Sequence, residues 1–251
     1  CELANKNIQK GPSKPSEERN ATYTGRCIAI DLIGPLVRSY SGYYYILMTV
    51  DQKYNYKITS YLKAKNNACE ALIDIISKYE AICKERIMFI LNDNGGEFTD
   101  QNILTSVIKN APYRQIFTCP YSSFLNGSAE RSNQTIIERL RSTLEDTKIP
   151  VYLWEFMLAT ICELVNKTTI VTIAERKTTA YEAEHGKKAD FSIESKYGPI
   201  GGLVIYNDNK QKSKLQNRGR VGVLLGYFLE SIQDIHIGPI LYDPLSHTIV
   251  R

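Results

Sequence analysis

The 251 residues are 43% apolar, enough for a core of ordinary size, and the net charge is only +4. No apolar run approaches the roughly 20 residues that a membrane-spanning helix needs, and no basic-then-apolar leader opens the chain, so neither membrane association nor secretion is expected. Six cysteines lie far apart without a CxxC pair and three histidines show no ligand spacing, which argues for reduced core thiols in an intracellular protein and against zinc within the chain.

Residues 1–20 are rich in Lys, Ser, Pro and Asn and read as a linker; an opening on Cys1 suggests a piece of a longer product. Cys27 to Ile33 reads as a buried strand stopped by Gly34-Pro35, Tyr43 to Val50 as a second strand and Tyr56 to Leu62 as a third, joined by short antiparallel connections. From Ala64 to Glu85 the apolar period changes to three and four, the mark of a crossover helix. Ile87 to Leu91 is then a strand parallel to the first, and Thr99 or Asp100 can cap a short helix reaching Lys109. Tyr113 to Thr118 makes a fifth strand. Tyr121 to Gly127 lacks a pattern and is expected to be an irregular loop; Ser128 to Thr147 is a long helix, and Pro150 opens another over Val151 to Asn166.

Beyond Thr168 the segments shorten: Gly201 to Tyr206, Val221 to Leu229, and Ile240 to the terminus are strand-like. They predict a small, mostly β C-terminal domain over 169–251, after a core over 21–168. Between Gly186 and Arg220 eight basic residues face three acidic ones, leaving the rest of the chain near neutral. A phosphate-binding surface and an ordinary solvated basic loop explain that excess equally well.

Three carboxylates stand out by position. Asp31 and Asp93 each close an apolar strand, and Glu130, 37 positions after Asp93, stands in the first turn of the predicted helix from Ser128. Singly each has a plain reading, as a turn residue or as a partner of the helix dipole. Together, two strands and a helix delivering three carboxylates suit phosphoryl transfer, in which two Mg²⁺ (or Mn²⁺) ions held by oxygen ligands serve the attacking and leaving oxygens. Asp31, on the central strand, is expected to bridge the two ions, with Asp93 completing one and Glu130 the other. Gln134 and Arg141 fall on the same side of the helix as Glu130 and are candidate DNA contacts, joined by Arg131 and Asn133. In the basic segment the candidates are Lys210, Lys212, Lys214, Arg218 and Arg220.

The element order resembles the ribonuclease H-like fold, an α/β architecture with a five-stranded mixed sheet flanked by helices. The segments CIAIDLIGPL, YYYILMTVDQKYNY, NDNGGEF, NGSAERSNQTIIERLRSTL and IPVYLWEFMLATICELVNKT, in this order, resemble the integrases of copia-type (pseudovirus) LTR retrotransposons. LVIYND tilts the likeness toward the budding-yeast branch. By that resemblance Asp31, Asp93 and Glu130 are the catalytic, metal-binding triad of a D,D-35-E polynucleotidyl transferase. It implies element ends and target DNA as partners and a homo-oligomer as the working form, with action in a cytoplasmic virus-like particle and then the nucleus. Leu125 replaces a usual Gln, Asn166-Lys-Thr-Thr replaces Asn-Arg-Thr-Pro, and of the zinc module before the core only Cys1, as its final ligand, would remain. A ribonuclease H and a decayed or host-adopted copy that only binds DNA or protein are the alternative readings.

Overall fold

The computed structural model describes residues 26–92, 114–117, 123–207, 219–230 and 235–251, except the side chains of 114–117, 123–129, 228–230 and 235–237. Asp93, the expected 99–109 helix, the 1–20 linker and the basic residues Lys210, Lys212, Lys214 and Arg218 lie outside them.

Strands β1 (Arg26–Ile33), β2 (Tyr45–Asp51) and β3 (Lys57–Leu62) form an antiparallel meander, as their short connections require. Helix α1 (Ala68–Cys83) crosses over to β4 (Ile87–Asn92), which runs parallel to β1; β5 (Arg114–Phe117) runs parallel to β4. The resulting order β3-β2-β1-β4-β5 is the mixed five-stranded sheet of the ribonuclease H-like fold.

Period-two alternation divides β1 between two cores. Ile28 and Ile30 pack with α1, through Leu72, Ile75, Ile76 and Tyr79. Cys27 and Ala29 pack on the other face with α2 (Ser123–Thr147) and α3 (Trp154–Thr168). Asp31 shares the parity of Ala29 and therefore stands on the α2 side. Helix α2 begins five residues before the expected Ser128, so 123–127, read as loop from their lack of pattern, are helical. A glycine within a helix costs only about 1 kcal/mol, which Gly127 does not impose strongly enough to stop it.

Edge strand β3 is closed by a side chain. Asn166, buried at the end of α3, accepts from the Lys57 N–H at 2.9 Å and donates Nδ2 to the Lys57 carbonyl at 2.8 Å, imitating a neighbouring strand. Asn166→Ala should cost about 2 to 4 kcal/mol, because a buried donor and a buried acceptor both lose their partner. Urea unfolding measures it.

After α3 come two strands that the sequence reading did not resolve, β6 (Ile170–Ile173) and β7 (Arg176–Thr179), paired as a hairpin. Its turn residues Ala174 and Glu175 have φ of 45° and 66°. Such turns ordinarily use Asn-Gly, so the usual signal is missing. Helix α4 (Ala180–His185) also falls in the stretch read as β-prone: Thr179 caps it, accepting from the Glu182 N–H at 3.1 Å, and Gly186 ends it at φ 67°. A second short helix, α5, spans Ser192–Tyr197.

The final four strands, β8 (Leu203–Asn207), β9 (Gly219–Glu230), β10 (Ile235–Asp243) and β11 (Thr248–Val250), form one antiparallel sheet in the order β11-β10-β9-β8. It has a small core of its own, Leu224, Tyr227 and Leu241. Its other face lies on α3, where Leu225, Ile240 and Tyr242 join the α2/α3 core. Contact is close enough that a Cβ on Gly226 would stand 2.7 Å from the Phe156 carbonyl oxygen and 2.5 Å from Thr160 Oγ1. Among the described residues no helix is long and apolar enough to cross a membrane, and Cys27, Cys69, Cys83 and Cys162 form no disulfide.

Candidate active site at the end of the central strand

Asp31 sits near the C-terminal end of β1, half-buried, opposite Met48 of β2. Its Oδ1 accepts from the backbone N–H of Leu32 at 2.8 Å, and its Oδ2 accepts from Nδ2 of Asn133 on α2. These two bonds fix the carboxylate plane. The local sequence explains the placement: Ser132, Asn133, Ile136 and Leu140 form the buried stripe that lays α2 across the sheet, and Asn133 is the polar member of it at the strand end. Asn133, expected among the DNA-facing residues, is buried with its amide turned toward Asp31. Its own Oδ1 is buried without a hydrogen-bond partner among the described residues.

Glu130 lies one helical turn before Asn133 on α2 and is exposed. Strand β4 runs parallel beside β1 with Ala29 paired to Leu91, and leaves the sheet at Asn92, on the edge that carries Asp31. Two of the three expected carboxylates are thus carried to one end of the sheet, the third following immediately on β4 but outside the described residues. Among the described residues no three His, Cys, Asp or Glu side chains converge on one point.

The donors that are present fit a hard divalent cation. They are carboxylate oxygens from a half-buried and an exposed residue, with the orphaned Asn133 acceptor on the side chain that holds Asp31.

Arg131, Gln134 and Arg141 are exposed along α2. Gln134 donates to Glu138 Oε1 at 2.8 Å, and Arg141 borders an apolar groove of about 430 Å³ with Leu36, Val37, Leu144 and Trp154. Arg220, on β9, is engaged: its Nη1 donates to Asp243 Oδ2 at 2.9 Å, and Tyr206 OH donates to the same oxygen at 2.9 Å. Burial works against the Asp243 charge, yet hydrogen bonds from Ser246, Tyr206 and the Leu245 N–H outweigh it and hold the carboxyl down at about 2. The residues 208–218 connect an antiparallel pair whose last described partners are Asn207 and Gly219.

Sequence reasoning missed one polar constellation entirely. At the opposite end of β1 from Asp31, Arg26 is buried against Asp51 (Nε to Oδ1 3.0 Å), donates to Tyr79 OH at 2.7 Å, and is paired with Glu184 of α4. Its only local signal was an arginine just before an apolar strand.

No protein-family model matches the chain. It is 25% identical over 226 residues to the retrovirus-related Pol polyprotein from transposon TNT 1-94 of Nicotiana tabacum, a match covering 88% of this chain and 16% of that polyprotein. It is 28% identical over 181 residues to the Ty1-DR6 Gag-Pol polyprotein of Saccharomyces cerevisiae, covering 70% of this chain and 10% of that one. The chain therefore spans a small part of the curated relatives it matches. Among solved structures, a chain of the simian T-cell lymphotropic virus intasome in complex with PP2A regulatory subunit B56 gamma superposes with a TM-score of 0.52 at 16% identity, over 87% of this chain and 68% of that one. That likeness is one of fold.

Proposed function

We propose that this chain, a homologue of the Ty1/copia-type Gag-Pol polyproteins, is the integrase portion of such a polyprotein and joins element DNA ends to target DNA. The observation that carries the reading is the fixed carboxylate of Asp31 on the central strand, beside the helix that bears Glu130 and the parallel strand that leads to Asp93.

In this reading Asp31, Asp93 and Glu130 would hold Mg²⁺ or Mn²⁺, two ions per site. When bound, such ions favour the attacking oxygen anion and relieve the charge on the leaving one. The chain's own part is positional. Asn133 and the Leu32 N–H hold Asp31 in one orientation before any ligand arrives. The exposed face of α2, with Arg131, Gln134 and Arg141, receives DNA phosphates beside the site, and the basic segment with Lys210, Lys212, Lys214 and Arg218 grips them without regard to sequence.

Water then opens a phosphodiester near the element end, and the freed 3′-hydroxyl attacks a target phosphodiester in line, with no covalent bond to the protein. A linker over 1–20, a core over 21–168 and a C-terminal β region over 169–251 would organise the chain, a homo-oligomer would hold two ends together, and the work would begin in a cytoplasmic particle and finish in the nucleus.

The test is direct. The unmodified protein, given a labelled element end, a plasmid and Mg²⁺, should yield joined product. Protein that binds the DNA and never joins it would instead be a binding module, and the reading would be wrong.

A further inference from the structure

The Arg26 constellation holds one buried cation and two buried carboxylates. Asp51 is 2% exposed and Glu184 8%, and both lie against the same guanidinium. Tyr79 OH donates to Glu184 Oε2 at 3.0 Å, while Glu184 Oε1 is buried with no hydrogen-bond partner among the described residues. Arginine keeps its proton at any ordinary pH. Electroneutrality in this pocket therefore needs one proton on a carboxyl group. Asp51 Oδ1 also lacks a hydrogen bond among the described residues, but it stands 3.0 Å from Arg26 Nε, and Asp51 Oδ2 accepts from the Tyr54 N–H at 2.5 Å; Glu184 Oε1 is buried without such a partner and is the place for the proton.

We infer that Glu184 is a proton-operated latch: with its carboxyl protonated, α4 and the hairpin before it are seated on the far face of the central sheet; with it ionised, they come away while the core stays folded. The element is built to move separately. It is six residues long, follows a turn with two residues at positive φ, and reaches the core through Ala180, Tyr181 and Glu184. Tyr181 and His185 add a stacked pair, 4.1 Å between centroids, with His185 edge-on to Tyr56 at 5.3 Å.

The ionisable groups around Glu184 come from every element packed there. They are Arg26 on β1, Asp51 at the end of β2, Lys53, Tyr54 and Tyr56 in the segment after it, Tyr79 and Cys83 on α1, Glu85 beyond it, Cys162, Glu163 and Lys167 on α3, and Tyr181 and His185 on α4 itself. Lys53 is spent on Glu85, at 3.6 Å and half in solvent. Burial, opposed by Arg26 and reinforced by Asp51, pushes the Glu184 carboxyl up to about 7. A carboxyl raised on docking binds more protons docked than free. The docked state is thus most favoured below the ordinary glutamate range, near pH 4.5, and loses that advantage as pH rises to about 7.

Backbone hydrogen exchange of 180–186 at pH 5.5 and pH 8, corrected for the intrinsic rate, reads the latch. Protection there should fall roughly tenfold or more while β2 amides keep theirs. Glu184→Gln, neutral at both pH values, should hold its pH 5.5 protection at pH 8, and Asp51→Asn should flatten the dependence too by removing the excess charge. Equal protection at both pH values would overturn the inference, as would a fall shared by β2, or a fall that survives in Glu184→Gln.

Discussion

Asp31→Asn should lower Mg²⁺-dependent joining of a labelled DNA end by a thousandfold or more, leaving salt-sensitive DNA binding nearly unchanged. The substitution keeps the volume and an acceptor for the Leu32 N–H, so β1 and its pairing with β2 should stand. It removes one of the carboxylate charges that would hold the cations, and metal stabilisation of such transition states is worth several kcal/mol, with each 1.4 kcal/mol about a factor of ten. Binding should persist because the positive charges that displace counterions lie elsewhere, on α2 and in the basic segment. Asp93→Asn and Glu130→Gln should show the same separation of joining from binding. Joining by Asp31→Asn protein at even a tenth of the unmodified rate would remove Asp31 from the reaction.

The second large effect concerns stability. Arg26→Met should destabilise the protein by about 3 to 5 kcal/mol at pH 7, since it leaves Asp51 and Glu184 buried without their cation. Urea midpoints measure this, and the loss should shrink at pH 5, where the Glu184 carboxyl, raised to about 7 by burial, takes up a proton and part of the uncompensated charge disappears. Replacing all three, with Asp51→Asn and Glu184→Gln added, should restore much of the loss, because neutral groups of similar shape are cheaper to bury than an orphaned charge. A loss under about 1 kcal/mol for Arg26→Met would mean that water reaches the cluster and screens it.

Much of the fold was legible because the signals that define it are local. The alternation in β1 to β4, the three-and-four spacing of α1 and α3, and the short links of the meander each depend on a few neighbouring residues, and parallel pairing follows from a helix between two strands. The boundaries shifted by one to five residues, most at α2, where 123–127 carry no pattern of their own. The β6–β7 hairpin escaped because its turn uses Ala174 and Glu175, held at positive φ by the pairing around them.

What the sequence alone determined is the order of the elements from β1 to α3, and that Asp31 lies on a strand and Glu130 on a helix. Tertiary structure alone decided where polar side chains go once buried. It turned Asn133 inward to Asp31, used Asn166 as the neighbour of an edge strand, seated the last sheet on α3 through Gly226, and drew Glu184 across 158 positions to Arg26. Periodicity reports which face of an element meets the core. It carries no record of the partner, because a buried polar group is stable with any donor or acceptor that the fold brings within reach, and that is settled only when distant segments pack.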